Sequence, residues 1–206
     1  MTPIRRYGAE TPVVNEKPLR ADARRNRARV LAAAEDVFAE HGVGASTEEV
    51  ARRAGVGIGT VFRHFPTKEA LLEAVLVERM RRLAEIARER ADEGAPEEAF
   101  FGFLELVVGQ SATKNALAGA VAEVESVVAE VGRELRAAIE VLLVRAQEAG
   151  VVRGDVSAGD VIAVLVGASR AVEYAGAGSR AARVIFDGLR PGVAREIGGQ
   201  APGEWG

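Results

Sequence analysis

Ala45-Ser46-Thr47-Glu48-Glu49-Val50-Ala51-Arg52-Arg53-Ala54-Gly55-Val56-Gly57-Ile58-Gly59-Thr60-Val61-Phe62-Arg63-His64-Phe65-Pro66-Thr67-Lys68-Glu69-Ala70-Leu71 is the stretch on which the fold turns. Ser46-Thr47-Glu48-Glu49 has the pattern of a capping box: the Ser46 hydroxyl accepts the Glu49 N–H while the Glu49 carboxylate reaches back. Val50, Ala51 and Ala54 give the helix that follows an apolar face. Gly55-Val56-Gly57 then interrupts it. A tight turn between two short helices needs a residue tolerant of positive φ, which Gly55 supplies, and Val56 is a small apolar plug for the turn. A second short helix is expected from Ile58 to Phe65, offering Val61, Phe62 and Phe65 to the core, and Pro66 stops it. Two short helices joined by a glycine-containing turn make a helix-turn-helix, here over Ser46 to Phe65.

Working outward, Val30, Ala34, Val37 and Phe38 fall on one face of a preceding helix. That helix is expected to begin at Asp22 and to end at Gly42 and Gly44. Residues 1–20 hold Pro3, Pro12 and Pro18 without periodicity and read as a mobile arm. On the other side, Thr67 can cap a long helix with an apolar stripe of Leu71, Leu72, Val75, Leu76, Met80, Leu83 and Ile86. Gly94-Ala95-Pro96 closes it. Further helices are expected near 97–112, 115–130, 132–149, 158–176 and 179–189. Gly150 ends the third of these, and Ser157-Ala158-Gly159-Asp160 offers a cap to the fourth. No alternating strand pattern is present, so the fold class is all-α with about nine helices. The tail from Pro191 is rich in Gly and Pro.

Composition bounds the function. The 206 residues are 48% hydrophobic, enough for a sizeable core, and contain no cysteine. Disulfides, thiolate nucleophiles and Cys-based zinc sites are therefore excluded. No apolar run reaches membrane-spanning length, and the start lacks a signal-peptide stretch. A cytoplasmic protein with no membrane partner is expected. The formal charge is −3, but it is unevenly spread. Residues 17–29 hold Lys17, Arg20, Arg24, Arg25, Arg27 and Arg29 against Asp22 alone, whereas residues 69–206 hold 15 basic and 22 acidic side chains. A basic head on an acidic body suits a protein that docks phosphates with one end. An enzymatic helical bundle is the first alternative. The only histidines are His41 and His64, no Glu-x-x-His motif exists for a di-iron site, and Glu123 and Glu125 are too close in sequence to share a helix face. No enzyme activity, metal or cofactor is expected. A protein-binding adaptor is the second alternative, and the basic first helix together with Thr60 and Lys68 argues against it.

In a helix-turn-helix the second helix enters the major groove and the first braces against the backbone. Gly57 and Gly59 allow close approach to DNA. The Thr60 hydroxyl can bond a phosphate or base edge, and its methyl can touch a thymine methyl. Arg63 and His64 lie at the far end of the same helix. Lys68, in the first turn of the next helix, can join free N–H groups in holding one phosphate. Ser46 and Thr47 on the bracing helix, and Arg25 in the basic segment, complete the candidate DNA-binding residues.

The run from Ala45 to Leu71 resembles the DNA-binding domain of the tetracycline-repressor (TetR) family. The resemblance extends back through Val30 to Gly42 and covers roughly residues 22–76. Capping box, Ala-Gly-Val turn, Gly-Thr, His-Phe-Pro and Lys-Glu fall in register together. Phe62-Arg63 departs from it, because many members carry Tyr-Tyr there; a contact through phenolic hydroxyls does not carry over, and Arg63 offers a charge-assisted phosphate contact instead. The stretch Leu142 to Val166, with Ala149-Gly150-Val151-Val152-Arg153 followed by Asp155 and a helix, resembles the SbtR-like subgroup.

The chain is thus expected to divide into a flexible arm (1–20), a helix-turn-helix domain (21–68), a helical domain (69–190) for which the resemblance implies ligand binding and dimerisation, and a loose tail (191–206). The resemblance implies a homodimer on a double-stranded, pseudo-palindromic operator. The last two long helices, with Val161, Ile162, Val164, Leu165, Gly167, Ala168, Val184, Ile185, Phe186 and Leu189, would pair across a two-fold axis. It further implies a repressor released by a small-molecule effector, although activation would use the same DNA chemistry. The expected effector pocket is lined by Leu83, Phe100, Phe103, Leu104, Val107 and Tyr174, with Glu105, Gln110, Glu123 and Glu173 available to orient a polar ligand.

Overall fold

The computed structural model describes residues 16–42, 44–111, 127–176 and 179–192. Among these residues it contains eight helices and no strand: α1 (Glu16–His41), α2 (Thr47–Ala54), α3 (Ile58–His64), α4 (Lys68–Asp92), α5 (Pro96–Ser111), α6 (Val127–Glu148), α7 (Ala158–Ala175) and α8 (Ala181–Asp187). The expected helix over 115–130, the first fifteen residues of the arm and the tail beyond residue 192 lie largely or wholly outside the described residues.

Two expected boundaries differ. Helix α1 starts at Glu16, not at Asp22, and carries Pro18 in its first turn. Proline is tolerated there because first-turn N–H groups have no intrahelical acceptor to lose. Helix α6 runs unbroken through the gap expected between 130 and 132, because Val131 is buried and continues its inward face.

The helices enclose two apolar cores. Val30, Val37 and Phe38 of α1, Val50 of α2 and Val61 of α3 meet Phe65 and Leu71, Leu72 and Val75 of α4 in the first. The second joins Leu83, Ala84, Ala87 and Ala91 of α4 to the buried faces of α5 to α8, with Phe100, Ile139, Leu142 and Val161 at its centre. Helix α4 thus contributes to both. Its stripe is as expected at Leu71, Leu72, Val75 and Leu83, with Val77 added and Leu76, Met80 and Ile86 half-buried. The most extensive helix pairing is α4 on α6. Alanines at 84, 87 and 91, and Gly132 facing the Met80 Cε, permit that close approach.

Local signals set the joints. Helix α6 ends in a Schellman motif: Gly150 adopts φ 69°, its N–H reaches the Gln147 carbonyl at 2.9 Å, and the Val151 N–H reaches Ala146 at 3.0 Å. Arg153 then grips Asp155 through two bonds of 2.6 Å, and its N–H bonds to the Leu189 carbonyl at 2.9 Å. This ties the loop to the chain beyond α8. Helix α7 opens on a complete capping box between Ser157 and Asp160. The Ser157 hydroxyl and the Ser157 N–H both donate to the Asp160 carboxylate, at 2.6 and 2.9 Å, and hold it below the usual carboxylate range.

One side chain secures the far end of α4. The Arg145 guanidinium, from α6, donates to the carbonyls of Arg90, Glu93 and Gly94 at 3.2, 3.1 and 2.7 Å. The Arg90 and Glu93 carbonyls are among those that a helix C-terminus leaves without partners, Gly94 lies just beyond them, and a cation is favoured there. Replacing Arg145 with Ala is expected to cost about 1–3 kcal/mol in urea denaturation, and Arg145→Lys to recover only part of it, since an ammonium cannot span three carbonyls. A variant as stable as the parent would show the clamp to be energetically idle.

Candidate nucleic-acid interface

The recognition element is assembled from α1 to α3 and the start of α4. Ser46 sits in extended conformation before α2, and its Oγ accepts the Glu49 N–H at 3.2 Å. Only this half of the expected capping box forms. The Glu49 carboxylate turns outward to His41 at 3.3 Å and Arg52 at 3.5 Å. At the other end of α2 the Gly55 N–H bonds to Arg52 O at 3.2 Å and the Val56 N–H to Ala51 O at 3.1 Å, another Schellman motif. Gly55 has φ 63° and ψ 39°, so the left-handed residue the turn demands is where glycine stands.

Arginines from outside the turn hold it. Arg29 of α1 donates to Ala54 O at 2.6 Å and Gly55 O at 3.2 Å, placing a cation at the C-terminus of α2. Its Nη2 would lie 2.8 Å from a Cβ at Gly55. Arg53 of α2 meets Glu40 of α1 through both guanidinium nitrogens, one pair at 2.7 Å. That hydrogen-bonded guanidinium draws the Glu40 carboxyl below its ordinary value and raises Arg53 in turn. Arg27 lies over the Phe65 ring at 5.4 Å. Sequence reasoning counted Arg29 among the phosphate-facing charges and gave Arg53 no role. The signal for Arg29 is its place next to the buried Val30.

Helix α3 turns one side into the core and leaves the other exposed. Val61 and Phe65 are buried, whereas Ile58 is 37% and Phe62 42% exposed. Phe62 was expected in the core; one residue beyond Val61 is a rotation of about 100° around the helix, and that carries its ring outward. Gly57 caps α3 without a side chain, and neither Gly57 nor Gly59 has any atom within 4 Å of where a Cβ would stand. Thr60 and His64 are half-buried on the same helix and Arg63 is exposed, its Nε bonded to Gly59 O at 3.2 Å. Lys68 follows at the first position of α4, where Thr67 Oγ1 accepts the Ala70 N–H at 3.1 Å. Ser46 is exposed and Thr47 half-buried at the start of α2. Arg25 is exposed on α1 and paired with Asp22.

The expected effector-pocket residues divide. Leu83, Phe100, Phe103, Leu104 and Val107 all belong to the second core. Tyr174 does not join them: it is 96% exposed on α7, because it falls on the face opposite Val172 and Ala168. Glu105, Gln110 and Glu173 are also exposed, with Glu173 held by Arg170 at 2.9 Å, and Glu123 lies outside the described residues. A cavity of about 330 Å³ beside this core is lined by Glu105, Ser179, Arg180, Ala182, Arg183 and Phe186. The buried Ser179 Oγ has no hydrogen-bond partner. On the outer surface of α7 and α8, Val166 and Val184 are exposed and Gly167 faces open space.

Comparison with known proteins agrees with this arrangement. Residues 30–75 match the family of bacterial regulatory proteins of the tetR type. Residues 95–191 match the C-terminal domain of SbtR-like transcriptional regulators. A TetR regulatory protein from Mycobacterium vanbaalenii is 44% identical, with a TM-score of 0.67 over 84% of this chain and 99% of that one. A TetR regulator from Streptomyces coelicolor is 33% identical, with a TM-score of 0.62 over 81% of this chain and 99% of that one. Among curated proteins, the HTH-type transcriptional regulator UidR of Escherichia coli is 33% identical over 61 residues, 29% of this chain and 31% of UidR. The chain spans about a third of the length of the curated relatives it matches.

Two outcomes follow from the turn. Gly55→Ala should cost at least about 1–2 kcal/mol of stability, the price of a left-handed alanine, before the displacement of Arg29 is added; a melting curve superimposable on the parent's would refute the strain. The Glu40–Arg53 contribution is complete above the ordinary Glu pKa of 4.5 and is lost as pH falls through the lowered folded value. Glu40→Gln should therefore flatten the acid limb of the stability profile and leave its shape above pH 5 unchanged.

Proposed function

Because the chain belongs to the TetR family of bacterial transcriptional regulators, which bind DNA through a helix-turn-helix, we propose that it is a homodimeric repressor that a small molecule releases from a palindromic operator. The observation that carries this reading is α4. Its first three turns lie in the same core as the DNA-binding helices and its last three in the core where an effector would act. A ligand that binds one tilt of this helix more tightly than another shifts the heads, and without that difference in affinity nothing moves.

Several features support the reading. The exposed side of α3 offers Gly57, Gly59, Thr60 and Arg63, and Lys68 adds an ammonium beside N–H groups not used within α4. Val166 on α7 and Val184 on α8 are exposed and Gly167 faces open space, apolar positions of the kind a second copy would cover. Two such heads would engage successive major grooves about 34–36 Å apart. The buried cluster of Leu83, Phe100, Phe103, Leu104 and Val107 would form the apolar wall of the effector site. Arg180, Arg183 and the unpartnered Ser179 hydroxyl would receive an anionic group beside it.

Operator affinity should fall linearly with salt on logarithmic axes. With Arg63 and Lys68 contributed by both heads, the slope should be about −4 or steeper. Arg63→Ala and Lys68→Ala should each weaken binding and make the slope shallower by about 2 per dimer. A gel-shift titration that barely responds to salt, or to either substitution, would remove these residues from the interface. Val184→Glu should leave the helical spectrum intact and yield a monomer in analytical ultracentrifugation; a persisting dimer would locate the two-fold contact elsewhere.

A further inference from the structure

We infer that Ile58 and Phe62 form a thymine-reading pair, selecting operators by contact with the 5-methyl groups of thymines in the major groove. The head core is closed without them, since Val61 and Phe65 already fill the inward side of α3 at 1% and 4% exposure. Ile58 and Phe62 are instead exposed, one helical turn apart, so their Cβ atoms are about 5–6 Å apart on one side of the helix. They are not shielded by their neighbours. Gly57 and Gly59 contribute no side chains and face open space, and the Arg63 stem is drawn back along α3 by its bond to Gly59 O. Among the described residues no aromatic or cationic group stacks on Phe62.

The chemistry of the pair restricts what it can recognise. Neither side chain can donate or accept a hydrogen bond. Pressed against a phosphate or a polar base edge, each would desolvate a group and return no bond. In the major groove the base-edge group that rewards apolar contact is the thymine 5-methyl. Bases step by about 3.4 Å along a strand, so a pair about 5–6 Å apart meets methyls on adjacent or next-but-one positions. Phe62 adds a second constraint: with no phenolic oxygen, it cannot trade this contact for one to the backbone. Sequence preference at these positions is thus set by methyl groups, with Thr60 and the arginines anchoring the register.

The inference rests on α3 entering the major groove, and the test separates the two. Sites are enriched from random duplexes with the full-length protein, and each thymine of the half-site is then replaced by deoxyuridine, which loses only the methyl. The parent should lose about four-fold in affinity per contacted methyl at one or two positions of each half-site. Phe62→Ala should bind the thymine site more weakly and no longer distinguish deoxyuridine at one of them. Phe62→Leu should retain part of the discrimination, and its melting curve controls for folding. Salt-sensitive binding with no deoxyuridine effect, or a Phe62→Ala protein that discriminates as the parent does, overturns the methyl-reading pair and leaves DNA binding intact. Failure to enrich any site overturns both.

Discussion

A single helix is shared between two hydrophobic cores, and the rest of the molecule is organised around that. Leu71, Leu72 and Val75 of α4 are buried with the helix-turn-helix, and Leu83, Ala84, Ala87 and Ala91 are buried with the C-terminal helices. A continuous α-helix does not kink sharply without a proline, a bulge or an inserted group, and Lys68–Asp92 contains no proline. The orientation of the head therefore follows the orientation of α4. Between the two cores the Arg82–Glu35 ion pair joins α4 to α1, so the head is tied to the helix by charge as well as by packing.

The basic head proves to be chemically divided. Arg29 and Arg53 brace the motif itself, one on the carbonyls that end α2 and the other on Glu40. Arg27 covers Phe65. Arg63, exposed on α3, and Lys68, half-buried at the start of α4, are the charges proposed to meet phosphate. A guanidinium suits the bracing tasks because its fixed fork satisfies two oxygens at once and does not deprotonate. The same residue type thus builds the motif and equips it, and a count of charges along the chain cannot separate the two.

What the sequence revealed followed from how local the cause was. Ser46, Thr67 and Ser157 cap their helices because a cap needs only its own next three residues, and Gly55 and Gly150 turn left-handed for the same reason. The start of α1 was misplaced because its polar first turns carry no apolar period. Phe62 was misassigned because Val61 beside it already supplied the inward position, which hydrophobicity alone does not reveal. Arg145 and Arg29 were invisible for a different reason. Each finds its acceptors at the end of another helix, 51 to 55 residues away for Arg145 and 25 to 26 for Arg29. Those pairings exist only once the helices are packed. Tyr174 failed as a pocket residue because helical spacing shows which residues share a face but not which face turns inward.

The Arg145 clamp has a geometric consequence. With the last carbonyls of α4 fixed, the helix is a rigid arm with one anchored end, and its 25 residues make it about 37 Å long. Swinging that arm by about five degrees would carry its free end, and Lys68 with it, about 3 Å, close to the rise of one base step. A change at the anchored end too small to disturb a side-chain rotamer would thus be amplified to the length of a base step. Alanines along the α4–α6 contact offer such a swing little interdigitation to break. In this geometry the distance from clamp to free end, more than the strength of any contact, sets how far a small disturbance at the clamp would carry the head.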